Sequence, residues 1–142
     1  MYLLDTNVVS ELRRPERAAP AVVAWAASVP QDQTFLSVIS VYELEVGVQR
    51  KERSDAAQGA VLRAWLSGQV MSEFADRILD LDADTAVMAA TLVANHALDA
   101  ADAYIAASAI TRQLTVVTRN VKHFCATQAL IINPWEFQTR AG

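Results

Sequence analysis

The chain has 142 residues, 53% hydrophobic and 20% charged, with a formal net charge of −4; that fits one domain over residues 1–142, allows a packed core and excludes wholesale disorder. The acidic balance argues against a passive nucleic-acid binder, which would be basic, but not against an enzyme that gathers carboxylates around a metal ion, because the ion reverses the local sign. A lone cysteine, Cys125, excludes an internal disulfide, no apolar run reaches the roughly 20 residues of a membrane span, and Asp5 interrupts the start too early for a signal peptide, so a cytoplasmic protein with no membrane segment is expected.

Tyr2 to Leu4 is a short apolar run that predicts a buried strand, followed by a short helix over Asn7 to Leu12 that the Arg13-Arg14-Pro15-Glu16-Arg17 segment breaks. Ala21 to Ser28 reads as an apolar helix and Pro30 to Gln33 as a turn. Thr34 to Leu36 predicts a second strand, with Ser37 to Ser40 leading into the helix that carries Glu43. Another helix is expected from about Ala56 to Val70, capped by Ser54 or Asp55. Ile78 to Leu81 predicts a third strand, Thr85 to Ala97 and Ala100 to Gln113 two helices, Leu114 to Val117 a β-branched fourth strand and Leu130 to Ile132 a fifth. Short buried strands alternating with helices predict an α/β architecture whose mainly parallel sheet is covered on both faces.

Four segments carry the chemistry. Asp5 follows the first strand directly, where open parallel sheets gather functional groups; it is either a site acid or the cap of the next helix, and the local sequence leaves both open. Helical spacing puts Glu43 on the stripe of Ile39, Val46 and Gly47, where a carboxylate needs a cation or a metal. Glu45 points elsewhere and reads as solvated. Asp99 reads as a helix cap, whereas Asp102 shares a face with Ile105, Ala106 and Ala109 and is assigned to the site. Asp82 and Asp84 keep a capping role. Thr118 and Asn120 emerge at the same sheet edge as Asp5, either as site residues or as ordinary turn residues. Three carboxylates at one edge cannot all stay ionised without a counter-charge. A hard divalent cation answers that need, and oxygen-only ligands select magnesium or manganese. There is no zinc-type Cys/His spacing. His96 and His123 stand alone as surface or packing residues, and Cys125 reads as a packing residue.

Leu3-Leu4-Asp5-Thr6-Asn7, Ser40-x-x-Glu43-Leu44-x-x-Gly47, Asp102-Ala103-x-Ile105-Ala106-Ala107 and Thr118-Arg119-Asn120-x-x-x-Phe124 occur in that order, closed by Asn133-Pro134-Trp135. Together they closely resemble PIN-domain toxins of the VapC and FitB type over essentially the whole chain. The resemblance implies a three-layer α/β/α fold around a central, mainly parallel sheet of four to five strands. It implies a Mg2+-dependent (or Mn2+-dependent) ribonuclease, usually a homodimer, acting as the toxin of a type II toxin–antitoxin pair and held inactive by a VapB-like antitoxin. Asp5, Glu43 and Asp102 are then the catalytic and metal-site acids, supported by Thr6, Asn7, Thr118 and Asn120. The family often carries a fourth acid in the last motif, at the Asn120 position or just before the phenylalanine; this chain has Asn120 and His123 there. RNA would meet Arg13, Arg14 and Arg17, then Arg50, Lys51 and Arg53, and finally Arg119 and Lys122. The apolar helix around Trp25 and the Val61-Leu62-x-x-Trp65-Leu66 face are expected to form a groove for the antitoxin, with the two tryptophans as anchors or else as core.

Two rivals share parts of this pattern. A magnesium-dependent phosphotransfer domain is one: a haloacid-type phosphatase would want a second aspartate two residues after the first, where Asn7 stands, and a receiver would want an aspartate on a middle strand and a lysine after the last one, neither of which is clear; a nucleotide-binding module is disfavoured because, with 4 glycines, there is no glycine-rich phosphate loop. A PIN-like scaffold that binds partners without catalysis is the other.

Overall fold

The short apolar runs become one sheet in a computed structural model that describes residues 1–139, so 140–142 of the expected domain lie outside the described residues. β1 (Tyr2–Leu4), β2 (Thr34–Ser37), β3 (Ile78–Leu79), β4 (Thr115–Val117) and β5 (Leu130–Ile132) lie in the order β3-β2-β1-β4-β5. Every pairing is parallel, so the sheet expected to be mainly parallel is wholly so. β1 is central, with Tyr2 opposite Thr34 on one side and Leu4 opposite Val117 on the other. The chain builds outward from β1 through β2 and β3, then returns to add β4 and β5 on the other side. Strand order therefore reverses between β1 and β4, the place where open α/β sheets hold their ligands.

Helices cover both faces. They are α1 (Thr6–Glu11), α2 (Pro20–Ser28), α3 (Val38–Ser54), α4 (Ala56–Ala64), α5 (Met71–Glu73), α6 (Ala83–His96), α7 (Ala100–Arg112) and α8 (Val121–Phe124). Successive strand residues point to opposite faces. Leu3 and Val116 thus pack with Leu92, Ile105, Ala106 and Phe124 from α6, α7 and α8. Leu4 and Val117 pack with Val8, Trp25, Leu44, Val48 and Leu66 from the other layer. Three layers follow from that alternation.

Short polar side chains start the helices. Ser37 accepts from the Ile39 amide, Asp55 from Gln58, Asp82 from Thr85 and Asp99 from Asp102. Asp55, not Ser54, is the cap of α4, and Asp84 lies inside the first turn of α6. Several expectations need correction. The helix expected over 56–70 ends its α-helical part at Ala64, widens into a π-helical turn over Trp65–Val70 and runs on into α5. The strand at Ile78 stops at Leu79. Cys125, expected to pack, is exposed.

Two glycines make a testable contrast. A Cβ on Gly59 would lie 2.4 Å from Glu52 Cα, because α3 and α4 fold back on each other there. A Cβ on Gly47, inside α3, would meet nothing within 4 Å. Gly59→Ala is expected to cost about 1–3 kcal/mol by overpacking. Gly47→Ala is expected to gain roughly 0.5–1 kcal/mol, because glycine in a helix loses more chain entropy on folding. Chemical denaturation of the two variants checks both signs.

Candidate active site

Asp5 ends β1 and starts α1, so one residue serves both readings left open by the sequence. Its amide donates to Val117 O at 2.9 Å, continuing the sheet, while its carboxylate Oδ1 accepts from the Thr6 amide at 2.8 Å. Oδ2 accepts from the Thr118 hydroxyl at 2.8 Å and from Asn7 Nδ2 at 3.2 Å. Thr118 follows β4, is fully buried, and accepts from the Asn120 amide at 2.9 Å. Asn7 in turn accepts from the Arg119 amide at 3.3 Å. The supporting residues Thr6, Asn7 and Thr118 thus lock the Asp5 carboxylate in one orientation, and Asn120 supports through its backbone.

Glu43 lies one helical turn after Ser40 on α3. The Thr6 hydroxyl donates to Glu43 Oε1 at 2.7 Å and lies 3.0 Å from the Ser40 hydroxyl. The core-facing stripe of α3 is Ser40, Leu44 and Val48. Glu43 lies at its edge, half-buried, rather than on a buried stripe with Val46 and Gly47 as expected. Glu45 is not simply solvated: Arg63 of α4 holds it with two bonds of 2.7 and 2.8 Å and also reaches Glu52. That guanidinium pulls the Glu45 carboxyl down to about 2. The pair is too exposed to count for much in stability, and it ties α3 to α4 behind the acids.

Asp102 sits in the first turn of α7, on the face that buries Ile105, Ala106 and Ala109. Its Oδ2 is 2.9 Å from His123 Nδ1. His123, expected to stand alone at the surface, is therefore a member of the site. Ser40 is the second residue the sequence did not single out, although it opens the motif that contains Glu43. His96 is exposed in the last turn of α6, as expected.

The electrostatics describe a place that is short of positive charge. Burial pushes the Asp5 carboxyl above its ordinary value, against the lowering effect of its three hydrogen bonds and of His123. Burial likewise raises Asp102; Asp99 and Asp5 add repulsion, and His123 opposes them. Among the described residues, no three His, Cys, Asp or Glu side chains converge closely enough to hold a metal ion as they stand. The donor chemistry nevertheless fits a hard divalent cation. The acids supply only oxygens, Asp5 and Asp102 are costly to ionise unpaired, and the second oxygens of Glu43 and Asp102 accept no protein hydrogen bond among the described residues.

The basic residues divide into three groups. Arg13, at the end of α1, lines a recess with Thr6 and Glu43. Arg119, Lys122 and His123 line a second cleft with Asn120, and the Arg119 guanidinium lies 5.1 Å over the Trp135 ring. Arg50, Lys51 and Arg53 are exposed in the last turns of α3, two turns or more beyond Glu43, about 10 Å along the axis. The structure does not bring that third group to the acids.

A wider groove of 290 Å³ opens between α2 and the π-helical turn, with Trp25, Trp65, Val29 and Phe74 in its walls. Trp25 is its floor, almost wholly buried with its ring edge-on to Tyr2 at 5.4 Å, while Trp65 is partly exposed.

The described family model of the PIN domain matches residues 2–129. Toxin FitB of Neisseria gonorrhoeae is 39% identical over 140 residues, which cover 95% of this chain and 99% of that protein. The VapC ribonuclease Y4jK of Sinorhizobium fredii is 35% identical, covering 96% and 99%. Among solved structures, the crystal structure of FitAcB from Neisseria gonorrhoeae superposes with a TM-score of 0.86 at 38% identity, over 96% of this chain and 100% of the other.

Proposed function

The chain belongs to the PIN-domain family, and from that membership we propose that it is a divalent-metal-dependent ribonuclease, the toxin of a toxin–antitoxin pair working in the cytoplasm. The observation that carries this reading is a chain of links at the strand-order reversal: Thr118 and Thr6 bond Asp5, the Thr6 hydroxyl also holds Glu43, and Asp102, in contact with His123, stands near enough to Asp5 for the two charges to repel.

Asp5 and Asp102 would hold the cation. When bound, that cation supplies a Lewis acid for a phosphate oxygen and a water of lowered pKa. Asp5 is fixed for the task by Thr6, Asn7 and Thr118, so its geometry does not have to be assembled when substrate arrives. Glu43, held by the Thr6 hydroxyl, orients the attacking water. Arg13 on one side and Lys122 on the other receive the RNA backbone, offsetting the acidic site. The groove between Trp25 and Trp65, lined mostly by apolar side chains, receives a segment of antitoxin, with Trp65 as the accessible anchor.

RNA incubated with the protein and magnesium or manganese is expected to be cut to 5′-phosphate and 3′-hydroxyl ends, and a chelator is expected to stop the reaction. A 2′,3′-cyclic phosphate, or cleavage undiminished by the chelator, would refute metal-assisted hydrolysis. The contact of His123 with Asp102 favours one rival, a partner-binding scaffold in which the imidazole takes the cation's place; no cleavage in any metal would establish it.

A further inference from the structure

Gly47 is a cost without a return inside the chain. It lies in the middle of the 17-residue α3, where glycine weakens a helix, and its backbone is not left-handed. No neighbour stands within 4 Å of the Cβ it lacks, whereas Gly59 has Glu52 backbone at 2.4 Å. One turn before Gly47, on the same face, is Glu43. The space outside Gly47 is a recess of 200 Å³ whose other walls include Thr6, Ser10, Arg13 and Trp65. The recess is thus continuous with the candidate active site.

We propose that this recess is a specificity pocket for one nucleobase of the RNA beside the cleaved phosphate, and that Gly47 keeps its mouth open. The proposal rests on the ribonuclease reading and adds what that reading lacks, a device for choosing among RNA sequences. Size is the first argument: 200 Å³ falls below the roughly 300–1,000 Å³ of sites for drug-sized ligands and suits one flat ring system. The walls are the second. Trp65 is partly exposed and offers an aromatic face, and single-stranded RNA is read by stacking unpaired bases on such faces and bonding their edges. Glu43 and the Thr6 and Ser10 hydroxyls supply polar atoms for a base edge.

Charge is the third argument. Arg13 makes no salt bridge among the described residues. Partial burial and the neighbouring Arg14 and Arg17 lower its pKa, against the pull of Glu16, so a cation is held here against repulsion. A phosphodiester beside the recess relieves that repulsion. The groove on the other side of Trp65 has no arginine or lysine in its walls, which separates a place for RNA from a place for an apolar peptide.

The test uses the full chain carrying Asp5→Asn, so that RNA is bound without being cut. Fluorescence anisotropy measures binding of short oligo(A), oligo(C), oligo(G) and oligo(U), with and without Gly47→Leu. The parent is expected to prefer one base by about tenfold, toward the lower end of what hydrogen bonds to a base edge contribute to discrimination. Gly47→Leu is expected to level that preference while the melting temperature holds or rises, as for Gly47→Ala, and the affinity for an abasic oligonucleotide stays unchanged. Arg13→Gln is expected to weaken all four RNAs alike. A folded Gly47→Leu protein that keeps the full preference overturns the pocket. So does one that keeps it while losing affinity for an apolar helical peptide, which would give the recess to a protein partner. A parent that binds all four RNAs equally overturns the pocket and leaves the ribonuclease reading standing; a parent that binds none overturns both.

Discussion

Replacing Asp5 with asparagine is expected to lower RNA cleavage by about 100- to 1,000-fold, the range for losing one preorganised electrostatic group at a reaction centre, with the protein still folded. Asparagine is nearly isosteric and keeps one oxygen to accept from the Thr6 amide at the 2.8 Å position. It loses on the other side, where its amide would face the Asn7 amide, now donating at 3.2 Å to Oδ2. It gains by removing a buried charge. Burial raises the folded pKa of Asp5 above its ordinary 3.8, so the native state holds that proton more tightly than the unfolded chain. Asp5 therefore takes away stability as the pH rises from 3.8 through its raised folded value, and the whole penalty is in place at neutral pH. In metal-free buffer the variant should gain on the wild type as pH climbs through that window. Paired RNA-cleavage and melting measurements decide it. Full activity in a folded Asp5→Asn protein, or a stability difference that does not move with pH, removes Asp5 from the role assigned to it.

Phe124→Ala is expected to cost about 3–5 kcal/mol, a large part of the roughly 5–15 kcal/mol that holds a domain together. Phe124 is fully buried and among the largest side chains in the core. It packs in one cluster with Ala103, Ala106 and Ala107 of α7, whose small side chains make room for the ring, and with Leu3 and Val116 of the sheet. Truncation leaves a cavity that these alanines cannot fill. The same ring anchors the segment from Thr118 to His123, so cleavage should fall as well, beyond what the unfolded fraction explains. Urea titration gives the stability cost. Phe124→Leu, which keeps most of the volume, should cost less than about 1.5 kcal/mol; equal losses for leucine and alanine would show that packing is not what Phe124 supplies.

The fold was legible because each strand is a short apolar run bounded by polar residues, and because Pro15 and the caps Asp82 and Asp99 mark helix limits in the sequence itself. The positions of Asp5, Asp102 and Thr118 were legible for a related reason: Asp5 and Thr118 each follow directly on a strand, and Asp102 lies in the first turn of α7 after the Asp99 cap. What escaped depends on distant partners. Glu45 looked solvated because Arg63 stands 18 residues on and meets it only after the chain folds back at Asp55. His123 looked solitary because Asp102 reaches it from another helix. Glu43 was placed one step off its stripe because α3 buries Ser40, a polar residue that hydrophobic periodicity does not count.

The central place of β1 has a consequence for how this protein comes into being. Its first strand leaves the ribosome early, yet one of its two edges stays bare until Thr115–Val117 has been made. The bond that orients Asp5 spans 113 residues. Contacts of such long range are slow to close, and domains are completed as units during synthesis. Until β4 and Thr118 have been made, Asp5 lacks both the strand beside it and the hydroxyl that orients its carboxylate. Synthesis thus separates the making of the first strand from the fixing of Asp5 at its end.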